Sequence, residues 1–286
     1  MNILITGANG QLGQSIRANL PLSVSNKYIF AGSNDLDITQ RDRISAFLKN
    51  ENNDVIVNCA AYTAVDKAED EPLMADLINR VAVGYLAEEI KKRNGFLIHI
   101  STDYIYGGNV AFNNPLTEDS TPAPVSVYGK SKLEGENAIL KSGAKAIILR
   151  TAWLYSEYGH NFMKTMLSLF ESRREIRVVN DQTGTPTYAG NLAKAIIYII
   201  EQKMLEGYEG VYNFTDEGEA TWFGFAKSIS GFSNNTKCSI IPCTTAEYPV
   251  KALRPSYSVL DKSKFKTAFG IHIPHWEESL KSLLNK

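Results

Sequence analysis

The first thirteen residues carry the feature that most restricts the fold: an apolar run followed by three evenly spaced glycines. Residues 3–5 are apolar and precede Gly7, Gly10 and Gly13. A buried strand that ends in a glycine turn and opens a helix is how a doubly wound sheet binds a dinucleotide. Glycine lets the backbone approach a pyrophosphate, and the helix N-terminus offers it free N–H groups. Glycines at such spacing also occur in turns that bind no dinucleotide, so the interpretation depends on the rest of the chain.

Short apolar strands alternate with helical patterns through the first half of the chain. The predicted strands are 3–5, 28–31, 55–57, 96–100 and 146–149, and the predicted helices are 11–20, 39–48 with Thr39 as cap, 76–93 and 128–140. This alternation is typical of a parallel sheet with helices on both faces. The sequence therefore predicts an α/β fold: a doubly wound, Rossmann-like parallel sheet whose first strand lies inside the sheet.

The second half is less regular and predicts a smaller attached unit. We expect residues 1–153 to form the NAD(P)-binding core and residues 154–286 to form mostly a C-terminal substrate-binding cap. Elements near 176–214 are expected to return to the sheet, and three short helices are expected after Thr221. A long polar loop precedes Val127, and loops of this length inside compact domains are more often functional than idle.

Composition excludes several classes of partner. The 286 residues carry a formal net charge of −1 without basic blocks, which argues against nucleic acid. No apolar run approaches the roughly 18 residues of a membrane span, and no signal peptide precedes the first strand. Three scattered cysteines and four histidines without ligand spacing indicate reduced thiols and no zinc site. We therefore expect a cytoplasmic protein that binds neither membrane nor nucleic acid.

Tyr128 and Lys132 are the residues best suited to chemistry. They are four apart on a predicted helix and so share one face. The pKa of free tyrosine is near 10, and a nearby ammonium lowers it toward useful values. With 14 tyrosines in the chain, such a pair can also arise by coincidence. Its position favours function, because it follows the strand that ends at Ser101 and Thr102, and ligands bind at that end of a parallel sheet.

Longer runs connect these motifs along nearly the whole chain. They are residues 58–69, 101–106, 128–136, 150–153, 159–166, 180–187 and 253–255. Together with the Gly-x-x-Gly-x-x-Gly turn, they resemble the extended short-chain dehydrogenase/reductase family. Within that family the resemblance is to reductases of nucleotide-linked 4-keto sugars.

The resemblance implies a reaction and a role for each matching residue. NADPH or NADH would deliver hydride to the C4 ketone of a dTDP-linked 6-deoxy-4-keto hexose. The implied catalytic residues are Thr102, which hydrogen-bonds the reacting oxygen, Tyr128, which gives the proton, and Lys132, which lowers the pKa of Tyr128 and holds the ribose. The implied cofactor-binding residues are Gly7, Gly10, Gln11, Leu12, Gly13, Asp37, Ile38, Ala60, Ala61, Thr63, Tyr128 and Lys132. The implied substrate-binding residues are Val65, Thr102, Asp103, Tyr104, Trp153 and Arg254.

Simpler interpretations remain open for three of these residues. Trp153 follows a strand and could be a core residue, and Asp103 could form a turn. Arg254 precedes a proline and could be a surface residue, although a guanidinium suits a diphosphate. Asp66 reads as part of a charge cluster at a helix start.

Two departures from the family pattern bear on metal and cofactor. Some members hold magnesium with glutamates at a dimer contact, whereas the matching positions here are Ser15 and Gly190. We therefore expect no metal, and a monomer or a weak homodimer. The second strand is followed by Gly32 and Ser33, where NAD-selective folds usually have an acid, and the nearest arginine is Arg41. We expect both cofactors to be accepted, with NADPH modestly preferred.

Two other functions stay open at this point. A 4,6-dehydratase or 4-epimerase of the same family would recycle its hydride, but dehydratases place an acid where this chain has Tyr104. A non-catalytic NADP-binding regulatory subunit would bind the cofactor without turnover. Stoichiometric consumption of NADPH separates the reductase from both.

Overall fold

The protein is described by a computed structural model over residues 1–108, 114–235 and 237–285, so part of the polar loop before Val127 lies outside the described residues. The strands in chain order are β1 (Asn2–Thr6), β2 (Lys27–Ala31), β3 (Val55–Asn58), β4 (Phe96–Thr102), β5 (Lys145–Thr151), β6 (Leu154–Tyr155), β7 (Glu175–Val179), β8 (Thr183–Gly184), β9 (Thr187–Tyr188), β10 (Gly210–Asn213), β11 (Ala220–Thr221) and β12 (Ser239–Cys243).

The α-helices lie between and after these strands. They are α1 (Gln11–Asn19), α2 (Arg41–Glu51), α3 (Val65–Ala68), α4 (Pro72–Asp76), α5 (Ala82–Lys92), α6 (Val127–Ser142), α7 (Phe162–Ser172), α8 (Ala189–Glu201), α9 (Trp222–Phe232), α10 (Ser263–Phe269) and α11 (Trp276–Leu284). A π-helical turn, Leu77–Val81, joins α4 to α5.

Six parallel strands form the central sheet, in the order β10-β5-β4-β3-β1-β2. The predicted fold class is confirmed, and β1 lies inside the sheet with β2 and β3 as its neighbours. After β1 the chain adds β2 on one side of it and then β3 on the other side. The carboxyl ends of β1 and β3 therefore open a crevice for a ligand. β10 pairs with β5 and returns the second half of the chain to the sheet edge.

Two apolar cores cover the faces of the sheet, as the side-chain alternation of buried strands requires. Ile3 and Ile5 face the core that includes α1, α8 and α10, whereas Leu4 faces the core that includes α2, α5 and α6. A third core, around Phe225 and Trp276, lies among the later elements. Burial on both faces fixes the register of β1 and thereby the place where its glycine turn begins.

Two helix boundaries differ from prediction for local reasons. α2 begins at Arg41, because the hydroxyl of Thr39 donates to Asp37 at 2.7 Å and does not cap the helix. The helix expected over 76–93 begins four residues earlier, at Pro72, which is favoured in the first turn of a helix.

Candidate active site

The glycine turn after β1 forms a cradle that side chains would fill. Gly7 has φ +62°, and a Cβ there would lie 2.6 Å from the backbone nitrogen of Ala60. A Cβ on Gly13 would lie 2.6 Å from the carbonyl oxygen of Gly7. Gly10 precedes α1 without a side-chain cap, and first-turn N–H groups have no partner within a helix. The turn therefore fits a pyrophosphate, with Gln11, Leu12 and Gly13 in the first turn of α1.

A cavity of about 540 Å³, called the main cavity below, opens beside this turn at the carboxyl edge of the sheet. Its lining includes most of the residues singled out from the sequence: Gly10, Gln11, Leu12, Ala61, Thr63, Val65, Thr102, Asp103, Tyr104, Tyr128, Lys132 and Trp153. A side cavity of about 310 Å³ adjoins it and is lined by Gly7, Gly10, Gly32, Ser33, Asp37, Ile38, Ala60 and Ala61, among others. Gly10 and Ala61 line both cavities, and the two together fit an extended dinucleotide.

An acid is hydrogen-bonded to Gly32, one of the residues that line the side cavity. The carboxylate of Asp35 accepts a hydrogen bond from the backbone N–H of Gly32 at 2.8 Å. The chain folds back after β2 and brings this negative charge to the strand end. Arg41 is engaged elsewhere, with Glu88 and Glu89. Asp37 accepts from the side chain and backbone of Thr39, which lowers the pKa of its carboxyl.

β4 and α6 bring the three implied catalytic residues together. Thr102 ends β4, Tyr128 lies in the first turn of α6, and Lys132 follows one turn later. Ser126 caps α6 by accepting from Gly129 N at 3.1 Å. All three side chains are buried and line the main cavity, so they share one pocket next to the glycine turn.

The proton affinities differ from the sequence-based expectation. Burial raises the pKa of Tyr128 to about 12, against the opposing effect of a hydrogen bond with Thr102. Burial outweighs the other influences on Tyr128 here, and the expectation that Lys132 lowers the pKa of Tyr128 stays a prediction. The ammonium of Lys132 donates to the carbonyl oxygen of Ile100 at 2.6 Å, and burial lowers the pKa of Lys132 to about 8.

Asp103 is buried beside this group and is fixed on both oxygens. Its carboxylate accepts from Ser258 at 2.6 Å and from the hydroxyl of Thr102 at 3.1 Å. Burial raises its pKa to about 6. Asp103 also begins a short 3-10 turn that continues to Ile105, so the turn-forming interpretation describes its backbone while its side chain faces the cavity.

Aromatic rings form the far wall of the main cavity. Trp153 has φ +46°, and its ring stacks on Trp222 with centroids 3.5 Å apart and planes 8° from parallel. Tyr104 packs edge to face on Tyr128 at 5.4 Å. Trp222 was missed from the sequence, because it lies 69 residues after Trp153 and no local pattern links them.

Arg254 lies at the outer end of the site, in an ion pair. Its guanidinium donates to both carboxylate oxygens of Asp66, at 3.2 and 2.6 Å. This pairing lowers the pKa of Asp66. Arg254 also lines an outer cavity of about 360 Å³, together with Tyr104, Trp222 and Tyr248. It is neither free nor a plain surface residue, and the two shared aromatic residues place the outer cavity next to the main one.

Ser15 and Gly190 are both buried, on α1 and α8, which contribute to the same core. Within residues 1–108, 114–235 and 237–285, no group of three or more histidine, cysteine, aspartate or glutamate side chains could hold a metal ion. In the same part of the chain, no helix is long and apolar enough to cross a bilayer.

Comparison with known proteins gives consistent matches over the full chain. The family model of the RmlD substrate binding domain matches residues 1–286. A dTDP-4-dehydrorhamnose reductase from Aggregatibacter actinomycetemcomitans is 40% identical over 98% of this chain and 97% of its own length. The crystal structure of such a reductase from Clostridium acetobutylicum has a TM-score of 0.93 at 39% identity, covering 100% and 99% of the two chains. Another, from Bacillus anthracis in complex with NADP, has a TM-score of 0.92 at 35% identity, covering 99% and 98%.

Proposed function

The chain belongs to the dTDP-4-dehydrorhamnose reductase family, and from that premise we propose its reaction and the role of each site residue. The reaction is the NAD(P)H-dependent reduction of the C4 ketone of dTDP-4-dehydro-L-rhamnose to dTDP-L-rhamnose, a step in the biosynthesis of cell-surface polysaccharide. The observation that carries the proposal is the meeting of Thr102, Tyr128 and Lys132 in one cavity beside the glycine turn.

The cofactor, when bound, supplies the hydride. The glycine turn and α1 would hold its pyrophosphate, and the side cavity, with Asp37, Ile38, Ala60 and Ala61, would take the adenosine half. Lys132 would grip the nicotinamide ribose from the main cavity. The cradle at Gly7 and Gly13 supports this placement, because any larger residue there would collide with backbone.

Tyr128 acts as the general acid. Because burial raises its pKa to about 12, the phenol keeps its proton at neutral pH until a stronger base appears beside it. An alkoxide at C4 is such a base, and proton transfer from a positioned side chain contributes about 10² to 10⁴ in rate. Thr102 would orient the same oxygen, and Asp103 holds Thr102 in place.

The substrate would extend from the main cavity toward the outer cavity. Val65, Tyr104 and Trp153 would contact the sugar nucleotide, and Arg254 would bind its diphosphate. A guanidinium binds phosphate in a bidentate manner, as it binds the carboxylate of Asp66 here. The diphosphate would therefore exchange with Asp66 for the same donors.

We propose that the enzyme accepts NADPH and NADH, with NADPH modestly preferred. The small residues Gly32 and Ser33 leave room for a 2′-phosphate in the side cavity. Asp35 limits the preference, because its carboxylate on the amide of Gly32 would repel that phosphate.

We also propose a metal-independent enzyme, monomeric or weakly dimeric, in the cytoplasm. Ser15 and Gly190 lack the carboxylates that a shared magnesium would need. Cys59, Cys238 and Cys243 are free thiols, in keeping with a reducing compartment. Sedimentation of the purified protein with and without EDTA tests the first two statements.

Purified protein, NADPH and dTDP-4-dehydro-L-rhamnose test the reaction. We expect one NADPH oxidised per sugar reduced, with a product two mass units heavier and a single C4 configuration. Sugar conversion without net NADPH oxidation would indicate an epimerase or a dehydratase. Cofactor binding without any turnover would indicate a regulatory subunit.

A further inference from the structure

His99 is a buried side chain that the reaction as described leaves without a role. It lies on β4 and is fully enclosed. Its Nδ1 is 3.0 Å from the amide nitrogen of Asn58, at the end of β3, and its Nε2 is 3.3 Å from the amine of Lys132. One ring nitrogen thus contacts a structural residue and the other an implied catalytic residue.

The orientation of Asn58 decides which nitrogen of His99 carries the proton. The side-chain oxygen of Asn58 accepts from the backbone N–H of Ala60 at 3.2 Å and from the hydroxyl of Thr6 at 2.6 Å. A backbone N–H can only donate, so the amide cannot be reversed, and its NH₂ group must face His99. An NH₂ group has no acceptor. Nδ1 of His99 therefore accepts, and a neutral ring carries its proton on Nε2.

The ring is neutral because burial lowers the pKa of His99 well below its usual range, and the charge of Lys132 acts in the same direction. We propose that His99 is a positioning residue for the reduction: Asn58 fixes its tautomer so that its Nε2–H faces the amine of Lys132 and favours the amine once it has given up a proton. This inference rests on the proposed function for its consequence, but the tautomer itself does not depend on the substrate.

The effect on Lys132 follows from the donors involved. An ammonium has three N–H donors and no acceptor. One donor reaches the carbonyl oxygen of Ile100, and another would meet the N–H of His99 unfavourably. A neutral amine offers a lone pair that accepts that N–H. His99 therefore acts in the same direction as burial, which lowers the pKa of Lys132 to about 8.

Other titratable groups face Lys132 from the neighbouring elements. Glu136 lies one turn further along α6 and favours the ammonium. Cys59, in the loop after β3, stays a neutral thiol because burial raises its pKa to about 12. Tyr128 lies one turn back along α6. Among these, Tyr128 is the group that loses a proton in the reaction.

The proton balance of the reduction assigns a step to Lys132 and His99. The O–H bond of Tyr128 breaks as a new O–H bond forms on the C4 oxygen. An N–H bond of the Lys132 ammonium then breaks and the O–H bond of Tyr128 is restored. The neutral amine accepts the Nε2–H of His99 and later regains a proton from water, so each turnover consumes one proton from solvent.

Nitrogen NMR of histidine-labelled protein tests the tautomer without substrate. We expect the His99 signals to show a neutral ring with Nε2 protonated throughout about pH 6 to 9. The signals are assigned by their loss in His99→Gln or, if that variant does not fold, by elimination with variants of His160, His272 and His275. A proton on Nδ1, or an imidazolium, would overturn the proposal whether or not the protein reduces sugars.

The pH profile of kcat/KM tests the consequence. In Asn58→Asp, the new carboxylate accepts a hydrogen bond from Nδ1 of His99, so the ring proton lies on Nδ1. The lone pair of Nε2 then faces Lys132 and stabilises its ammonium. The alkaline limb, where Lys132 loses its proton, therefore moves up by about one pH unit or more. His99→Phe removes the N–H without adding charge and should move the limb in the same direction. Thr6→Val is the matched control, because Ala60 still fixes Asn58, and its limb should stay in place. Folded Asn58→Asp and His99→Phe proteins with the wild-type limb would contradict the role of His99.

Discussion

The two ends of the candidate site are built in different ways. At the catalytic end, Thr102, Tyr128 and Lys132 project from β4 and α6, two regular elements held by a buried sheet. At the substrate end, Trp153, Trp222 and Arg254 are held by contacts between side chains, a stack and an ion pair. Sites on regular elements are positioned more rigidly than sites on loops. The catalytic side chains are therefore held in fixed positions, whereas the side chains at the substrate end can exchange their partners for the substrate.

The largest effect should follow from the catalytic end. Tyr128→Phe keeps the ring and its packing against Tyr104 but removes the proton donor. We expect kcat to fall by roughly 10²-fold or more, with cofactor affinity, measured by fluorescence titration, largely kept. Turnover near that of the wild type would show that Tyr128 is not the proton donor. The end of the site with Tyr128 would then not be the catalytic end.

A smaller effect should follow at the substrate end. Arg254→Ala should raise KM for the sugar nucleotide about tenfold, or roughly 1.4 kcal/mol, while kcat changes little. Lys251→Ala is the matched control. Lys251 lies on the same segment as Arg254 and pairs with Asp70, but it does not line the outer cavity. Equal changes in the two variants would show that the segment matters and the guanidinium does not.

Substitution of Asp35 tests the cofactor end of the site, where we expect the cofactor preference to change by a few fold. Asp35→Asn keeps a hydrogen-bond acceptor for the amide of Gly32 but removes the charge. We expect the ratio of kcat/KM for NADPH over NADH to rise about threefold to tenfold, since tenfold is about 1.4 kcal/mol. A wild-type preference for NADH above roughly a hundredfold would contradict the proposed cofactor use.

Metal removal should have no effect at either end. Activity should survive dialysis against EDTA, because Ser15 and Gly190 supply no carboxylates at the position where the family pattern has them. A strong loss that magnesium alone restores would show a metal site formed by other residues.

The same contrast explains how much the sequence could predict. The apolar run of β1, its glycines and the four-residue spacing on α6 are local patterns, and these placed the fold class and the cavity. The pair between Asp66 and Arg254 joins residues 188 positions apart, and no local pattern encodes it. Proton affinities also escaped prediction, because burial of Tyr128 and Lys132 depends on the packing of the whole site.

His99 shows where a sequence signal existed but was not specific enough. A histidine inside the apolar strand that becomes β4 is unusual, yet it is equally compatible with a structural hydrogen bond. Its hydrogen-bonding neighbours come from β3 and α6, so only the assembled fold shows that it faces Lys132. Position along the chain could not distinguish a core residue from a positioning residue.

Transfer of deuterium tests the central statement, a reductase that consumes its cofactor at the Tyr128 end of the site, most directly. NADPH deuterated on the transferred face is mixed with dTDP-4-dehydro-L-rhamnose, and the product is analysed by NMR and mass spectrometry. We expect one deuterium at C4 for each NADPH oxidised, and formation of this labelled product roughly 10²-fold or more slowly in Tyr128→Phe. A converted sugar without deuterium at C4, formed without net cofactor oxidation, would contradict it.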